Sequence, residues 1–145
     1  MKKVVLVWLV LALVIVASCA TIAVKELPLP SDAKIVLPIA SLPEEIAAFS
    51  GQWAMTWDGP LESVLIVEEI GSEKAKITYS WGDCLKKGFY RGTAIVISDG
   101  SKVKIEWGDG SKVPKFTFEM RKGFKSLSAI REFKGYGMTA TATKK

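Results

Sequence analysis

Histidine is absent from this chain of 145 residues, and cysteine occurs only at positions 19 and 84. Without histidine, the chain lacks the usual general base for a serine or cysteine nucleophile, and it lacks the commonest metal ligand. We therefore expect no enzymatic activity, no metal site and no other cofactor. Basic residues exceed acidic residues by five, and the two signs alternate along the chain. We accordingly expect no nucleic-acid partner.

Charged side chains are missing from residues 4–17, which follow the basic start Met1-Lys2-Lys3. A basic start, a short apolar run and small residues at its end make up a secretory signal. The apolar run is shorter than the roughly 20 residues that a membrane-spanning helix needs. It closes with Val16-Ala17-Ser18-Cys19, which resembles the lipobox of bacterial lipoproteins. That resemblance implies cleavage before Cys19 and a lipid on Cys19 that anchors the mature chain to a membrane.

The residue after Cys19 bears on the expected location. Ala20 stands where an inner-membrane retention signal usually has Asp. The resemblance therefore implies the periplasmic side of the outer membrane, if the source has one. The alternative is an ordinary secretory signal cut near Ala17 or Ala20, and Cys19 could then form a disulfide with Cys84.

Proline is frequent after the signal, with four prolines from residue 28 to residue 43. Such a composition is typical of an extended, semi-rigid linker. The sequence thus predicts a lipoprotein signal peptide over 1–18, a Pro-rich tether over 19–42 and one domain over 43–145. Ser41-Leu42-Pro43-Glu44 fits a capping box and predicts a short helix at the start of that domain.

Hydrophobicity alternates with a period of two from Gly51 onward, which indicates strands. Polar turns such as Asp99-Gly100 separate the apolar runs. Short connections favour an all-β fold, a small eight-stranded antiparallel up-and-down β-barrel preceded by the helix, with a β-sandwich as the alternative. The predicted strands cover residues 52–57, 61–69, 75–81, 89–98, 101–107, 114–121, 124–132 and 136–143.

The first predicted strand opens with Gly51-Gln52-Trp53, directly after the short helix. This arrangement resembles the Gly-x-Trp opening of lipocalins and their calycin relatives. The resemblance implies a calycin-like barrel in which Gly51 and Trp53 are structural. It also implies that an arginine near the end of the barrel, here Arg131, packs across Trp53. It covers one motif and the architecture, and it supplies no ligand.

Up-and-down topology places the connections after the first, third, fifth and seventh strands at one end of the barrel, which we call the mouth. The first three of these follow a tryptophan and contain an aspartate, and the seventh strand brings an arginine. Aromatic faces with a few polar groups are typical of a site for a sugar or another amphipathic ligand. The sequence therefore predicts a ligand site built from Trp57, Asp58, Trp81, Asp83, Trp107, Asp109 and Arg131.

Two further expectations concern the interior and the orientation of the barrel. Bulky inward side chains should leave little lumen, although Arg91 shares parity with Phe89 and Ile95 and is a possible lumen anchor for a carboxylate. The tether should enter the first strand at the closed end, so the mouth should face away from the membrane.

These predictions describe a lipid-anchored extracytoplasmic binding protein that takes a small molecule or a short glycan at its mouth. The alternative is a protein-binding module, such as an inhibitor of a cell-wall hydrolase. Small periplasmic barrel lipoproteins that inhibit lysozyme look architecturally similar, and they insert a loop into an enzyme cleft. The working part would then be the loop from Gly82 to Gly88.

Overall fold

A computed structural model describes residues 26–145 with the exception of Pro60 and Cys84. The predicted signal peptide and the lipobox, with Cys19, lie outside the described residues. Within the described part, one helix, α1 (Glu44–Ala47), precedes eight strands. They are β1 (Gly51–Thr56), β2 (Glu62–Ile70), β3 (Lys74–Gly82), β4 (Lys87–Ser98), β5 (Val103–Trp107), β6 (Lys115–Met120), β7 (Ser126–Phe133) and β8 (Tyr136–Lys144).

Each strand pairs antiparallel with the next along the chain, and β8 pairs with β1 to close the barrel. The closing seam is short, running from Trp53 opposite Lys144 to Met55 opposite Ala142. The predicted eight-stranded up-and-down barrel with a short preceding helix is therefore confirmed, and the sandwich alternative is wrong.

Alternating side chains fill the inside of the barrel, because successive residues of a strand face opposite sides of the sheet. In β5 and β6, the side chains that are buried are those that the hydrophobic alternation predicts to face inward. The interior is densely aromatic and branched, and its largest fully buried members are Trp53, Tyr79, Phe49, Phe116, Phe118, Leu65, Ile77, Ile105 and Leu127.

Helix α1 closes the end of the barrel opposite the mouth. Ile46 and Phe49 are buried in the barrel core, and the Trp53 indole Nε1 donates a hydrogen bond of 2.8 Å to the Phe49 carbonyl. The predicted capping box does not form, because Pro43 occupies the N-cap position and no side chain caps the helix. Apolar contact with the core therefore holds this four-residue helix in place.

Residues 26–42, called here the strap, run along the outside of β2 and β3. The Ser80 hydroxyl donates to the Pro28 carbonyl at 2.6 Å, and the Val36 amide donates to the Glu68 carbonyl at 2.7 Å. The predicted tether over 19–42 thus overlaps a packed segment. Proline favours an extended backbone in a linker and in a docked strap alike, so composition alone did not distinguish them.

A β-bulge in β2 explains where the strap docks. The register of β2 on β3 shifts between Val67 and Glu69, which leaves Glu68 without a partner on β3. The freed Glu68 carbonyl accepts the Val36 amide, and the Glu68 side chain is 2% exposed although it lies on the outer face.

Arg91 neutralises that buried carboxylate. Its Nε and Nη2 donate to the two Glu68 carboxylate oxygens at 2.9 and 2.6 Å, and its Nη1 pairs with Asp32 of the strap at 2.8 Å. Burial alone would raise the pKa of Glu68, but the hydrogen bonds from Arg91 and Thr78 outweigh it and hold that pKa below its ordinary value. The ion pairs therefore join the strap to the barrel.

The predicted lumen position of Arg91 is wrong, since its side chain lies on the outer face of β4. The inward row of β4 contains Tyr90, Ala94 and Val96, together with two glycines. Phe89 and Ile95 are exposed on the outward row, 45% and 60% respectively. Because the glycines add nothing to the inward hydrophobic signal, the alternation in β4 pointed to the wrong face.

Candidate functional site

The mouth contains a cavity of about 270 Å³. Its wall combines Leu61 from the β1–β2 connection and Asp83 from the β3–β4 connection with side chains near the mouth ends of β3, β4 and β7. The lining residues are Leu61, Tyr79, Trp81, Asp83, Tyr90 and Arg131. Three of the seven predicted mouth residues, Trp81, Asp83 and Arg131, thus come together in one wall.

A row of aromatic rings lies beside this cavity. The Trp81 and Tyr90 rings stack with centroids 6.3 Å apart, and Tyr90 lies 5.8 Å from Trp107. Trp107 stacks on Phe116 at 5.7 Å. These rings occupy the lumen beside the cavity, as expected from their bulk.

Glycines on β4 make room for the two tryptophans of this row. A Cβ added at Gly92 would lie 2.7 Å from the Trp107 indole nitrogen, and one added at Gly88 would lie 3.1 Å from Trp81. The Trp107 ring would have to shift to accommodate a side chain at position 92, whereas a Cβ at position 88 would need a displacement of only a few tenths of an ångström. The position of Trp107 therefore depends on Gly92, and Gly88 leaves room for Trp81.

Arg131 lies in the cavity wall and not on Trp53. Its Nη1 is 3.6 Å from Met138 Sδ, and Arg131 takes part in none of the ion pairs among the described residues. The cation over the Trp53 ring is Lys144, whose Nζ is 5.2 Å from the ring centroid. The predicted stacking of Arg131 on Trp53 is therefore wrong, because Trp53 packs at the closed end and Arg131 lies at the mouth.

The other two predicted tryptophans do not line the cavity. Trp57 is 2% exposed, and its indole nitrogen donates to the Ser63 hydroxyl at 2.8 Å. Trp107 packs between Tyr90 and Phe116 in the aromatic row. Both tryptophans therefore pack inside the barrel near the mouth and do not contact the cavity.

The aspartates of the mouth order their own turns. Asp109 Oδ1 accepts backbone amides of Ser111, Lys112 and Val113, which lower the pKa of its carboxyl to about 2. Asp83 Oδ1 accepts two amides, from Leu85 and Lys86, and its pKa is lowered as well.

Asp58 is exposed in the β1–β2 connection and does not line the cavity. Of the three predicted aspartates, only Asp83 therefore faces the cavity. No group of three acidic or thiol side chains within residues 26–145, Pro60 and Cys84 aside, is arranged to hold a metal ion.

Two polar atoms of the cavity-lining residues have no hydrogen-bond partner in the described part of the chain. They are the Tyr79 hydroxyl and the Trp81 indole nitrogen, both shielded from solvent. Burial raises the pKa of Tyr79 to about 12, and the nearby Ser63 hydroxyl and Trp57 indole limit the rise without a hydrogen bond of good geometry. A buried donor without an acceptor costs about 1–3 kcal/mol, which an incoming acceptor would recover.

Leu61, Tyr79 and Tyr90 line the cavity but were not among the predicted site residues. Alternation does point Tyr79 inward, and its place near the end of β3 is a usable signal. The alternation in β4 predicts that Tyr90 faces outward, which is why it is missing from the predicted site. Leu61 was assigned to the second strand, whereas β2 begins at Glu62.

No family model, curated protein or solved structure matches this chain. Among the described residues, no helix has the length and apolar character needed to cross a bilayer.

Proposed function

We propose that the chain is a lipid-anchored extracytoplasmic binding protein that takes a small molecule, or one unit of a short glycan, in the mouth cavity. The observation that carries this proposal is the cavity wall itself. It combines aromatic surface with an arginine that has no carboxylate partner in the described part, and two donors without partners lie shielded behind it. Sites of this kind are mostly apolar, with a few polar groups that orient the ligand.

The size and charge of the cavity restrict the ligand. A volume of about 270 Å³ lies just below the usual range for ligand sites, which starts near 300 Å³. It suits one sugar ring or a small acid. Arg131 supplies the charged donors of the wall, whereas Asp83 Oδ1 is occupied by its own turn. The favoured ligand therefore presents acceptors, and a carboxylate near Arg131 would satisfy the largest unmet charge.

The second candidate is a protein-binding module that uses the β3–β4 connection. Leu85 in that connection is 87% exposed, and the Asp83 carboxylate orders the turn around it. An ordered connection with an exposed apolar side chain is what a partner protein's cleft would accept.

A ligand titration separates these candidates. We would record indole NH signals while adding N-acetylmuramic acid, with N-acetylglucosamine as the matched sugar that lacks the carboxylate. The expected result is a large shift for Trp81, a smaller one for Trp107 and none for Trp53, with tighter binding of the acid. Arg131→Gln should weaken that binding at least tenfold, whereas Arg121→Gln at the closed end should not.

Two outcomes would contradict the ligand proposal. One is shifts confined to the turns around Gly71, Gly100 and Gly123, which lie at the closed end. The other is that no signal from a mouth residue shifts when small acids and sugars are added, while the chain captures an envelope protein and Leu85→Ser abolishes that capture. The latter result would favour the protein-binding module.

A further inference from the structure

The strap runs from the mouth half of the barrel to its closed end. Pro28 is held by Ser80, two residues before β3 ends at the mouth, and Val36 is held by Glu68, near the other end of β2. Glu26, Leu27 and Leu29 line an outer groove that runs from Gln52, at the closed end, to Thr56 and Glu62 at the mouth end. The groove itself therefore does not select one end. The contact of Pro28 with Ser80, two residues from the mouth end of β3, places this part of the chain in the mouth half.

Little chain remains between that point and the predicted anchor. Cys19 and Glu26 are seven residues apart, and seven residues span at most about 25 Å when fully extended. A nine-residue strand such as β2 is itself roughly 30 Å long. Because barrel strands tilt by roughly 40°, the two ends of the barrel lie about 23 Å apart. An anchor at Cys19 therefore reaches the mouth half with slack but reaches the closed end only when the chain is almost fully extended, which favours the mouth half as the part near the bilayer.

The mouth end also presents apolar side chains to the outside. Leu85 in the β3–β4 connection is 87% exposed, and Tyr136 at the β7–β8 turn is 82% exposed. The four mouth connections contain three lysines and three aspartates, so their formal charges cancel. A leucine and a tyrosine on a rim with no net charge suit the interfacial region of a bilayer, where apolar side chains enter the headgroup boundary and charged ones stay hydrated.

We propose that the mouth rim docks on the bilayer that holds the anchor, with Leu85 and Tyr136 in the interface. This orientation rests on the lipid anchor of the proposed function, and it reverses the orientation expected from a free tether. The mouth cavity then opens at the membrane surface. A ligand would reach it from the lipid–water boundary, and the helix-covered end would be presented to the periplasmic space.

Site-specific quenching tests the orientation on the full lipidated chain. In a Cys84→Ser background, single cysteines would replace Tyr136 at the mouth, Leu37 in the part of the strap nearer the closed end, or Lys125 in the β6–β7 turn at the closed end. Each would receive the same fluorophore, and the protein would be inserted into phosphatidylcholine vesicles containing a nitroxide-headgroup lipid. We expect at least threefold stronger quenching at 136 than at 125, with 37 in between.

The result at position 37 distinguishes docking by the mouth from docking by the side of the barrel. Leu37 is 86% exposed and offers a rival apolar contact on the strap. Quenching at 37 or 125 that equals or exceeds quenching at 136 overturns the proposal while leaving the anchor intact. A chain that fails to float with vesicles and carries no lipid on Cys19 overturns both the anchor and the orientation.

A matched pair of substitutions tests the contact itself. Leu85→Ser should reduce quenching at position 136 at least twofold, because it removes an apolar side chain from the rim. Ile95→Ser, on the outer face of β4 where the side chain is 60% exposed, should leave it unchanged. A larger effect from Ile95→Ser would assign the membrane contact to the side of the barrel and refute the rim as the docking surface.

Discussion

Trp53 joins three parts of the closed end, and its replacement by alanine should be among the most destabilising single changes in the chain. The side chain is 0% exposed, its indole nitrogen donates to the Phe49 carbonyl, and Lys144 covers its ring. Phe49 belongs to the segment after α1, and Lys144 ends β8. Trp53→Ala should therefore loosen both the cap and the β1–β8 seam.

The size of the effect follows from burial and from the lost hydrogen bond. Replacing a buried aromatic by alanine costs about 3–5 kcal/mol, and a site with no exposed surface belongs at the upper end. Trp53→Phe keeps most of the apolar contact but leaves the Phe49 carbonyl without its donor, at a cost of about 1–2 kcal/mol. At about 4 °C per kcal/mol for a domain of this size, Trp53→Ala should lower Tm by about 12–20 °C.

A double-mutant cycle tests which cation contacts Trp53. Lys144→Met removes a cation from the ring at an exposed site, worth about 0.5–1 kcal/mol. Urea unfolding followed by far-ultraviolet circular dichroism gives the free energies without relying on tryptophan emission. The Trp53–Lys144 pair should show a coupling of about 0.5–1 kcal/mol, whereas Trp53 and Arg131 should be additive within about 0.5 kcal/mol.

The opposite pattern would refute this reasoning. Coupling of Trp53 to Arg131, with additivity toward Lys144, would mean that the closed end is packed as the calycin resemblance implies. A loss below about 1 kcal/mol for Trp53→Ala would mean that the cap and the seam do not depend on this side chain.

Three further predictions concern the anchor, the response to acid and one turn. Cys19→Ser should leave the chain unprocessed or soluble in membrane fractionation, and a processed chain that still sediments with membranes contradicts lipidation. The pKa of Asp109 is about 2 and that of Glu68 is below normal, so the unfolded chain binds more protons and the urea midpoint should drop as pH falls from about 4 to about 2. A flat profile there would contradict these contacts. Gly108→Ala should cut soluble yield or Tm sharply, because φ is +89° and a Cβ would overlap the Pro114 carbonyl. An unchanged Tm would show that the β5–β6 turn can shift.

The barrel could be predicted from sequence because its signals are local. Alternation in β1, β3, β5 and β6 comes from residues that each contact the same core, and turn residues mark where the strands end. Most predicted strand ends lie within two residues of the observed ones. The gathering of Trp81, Asp83 and Arg131 at one end followed from up-and-down topology alone. These inferences needed no knowledge of contacts across the barrel.

Contacts between distant segments decided the rest. A buried carboxylate at Glu68 is unfavourable until Arg91 from β4 and the strap close over it, and nothing near Glu68 in the sequence indicates either partner. The same closure packed a proline-rich segment against the outside of β2 and β3 and placed Pro28 in the mouth half. Alternation, turns and the lipobox pattern are properties of short stretches of sequence. The position of the strap on the barrel and the directions of the Arg91 and Arg131 side chains are decided only once the sheet has closed.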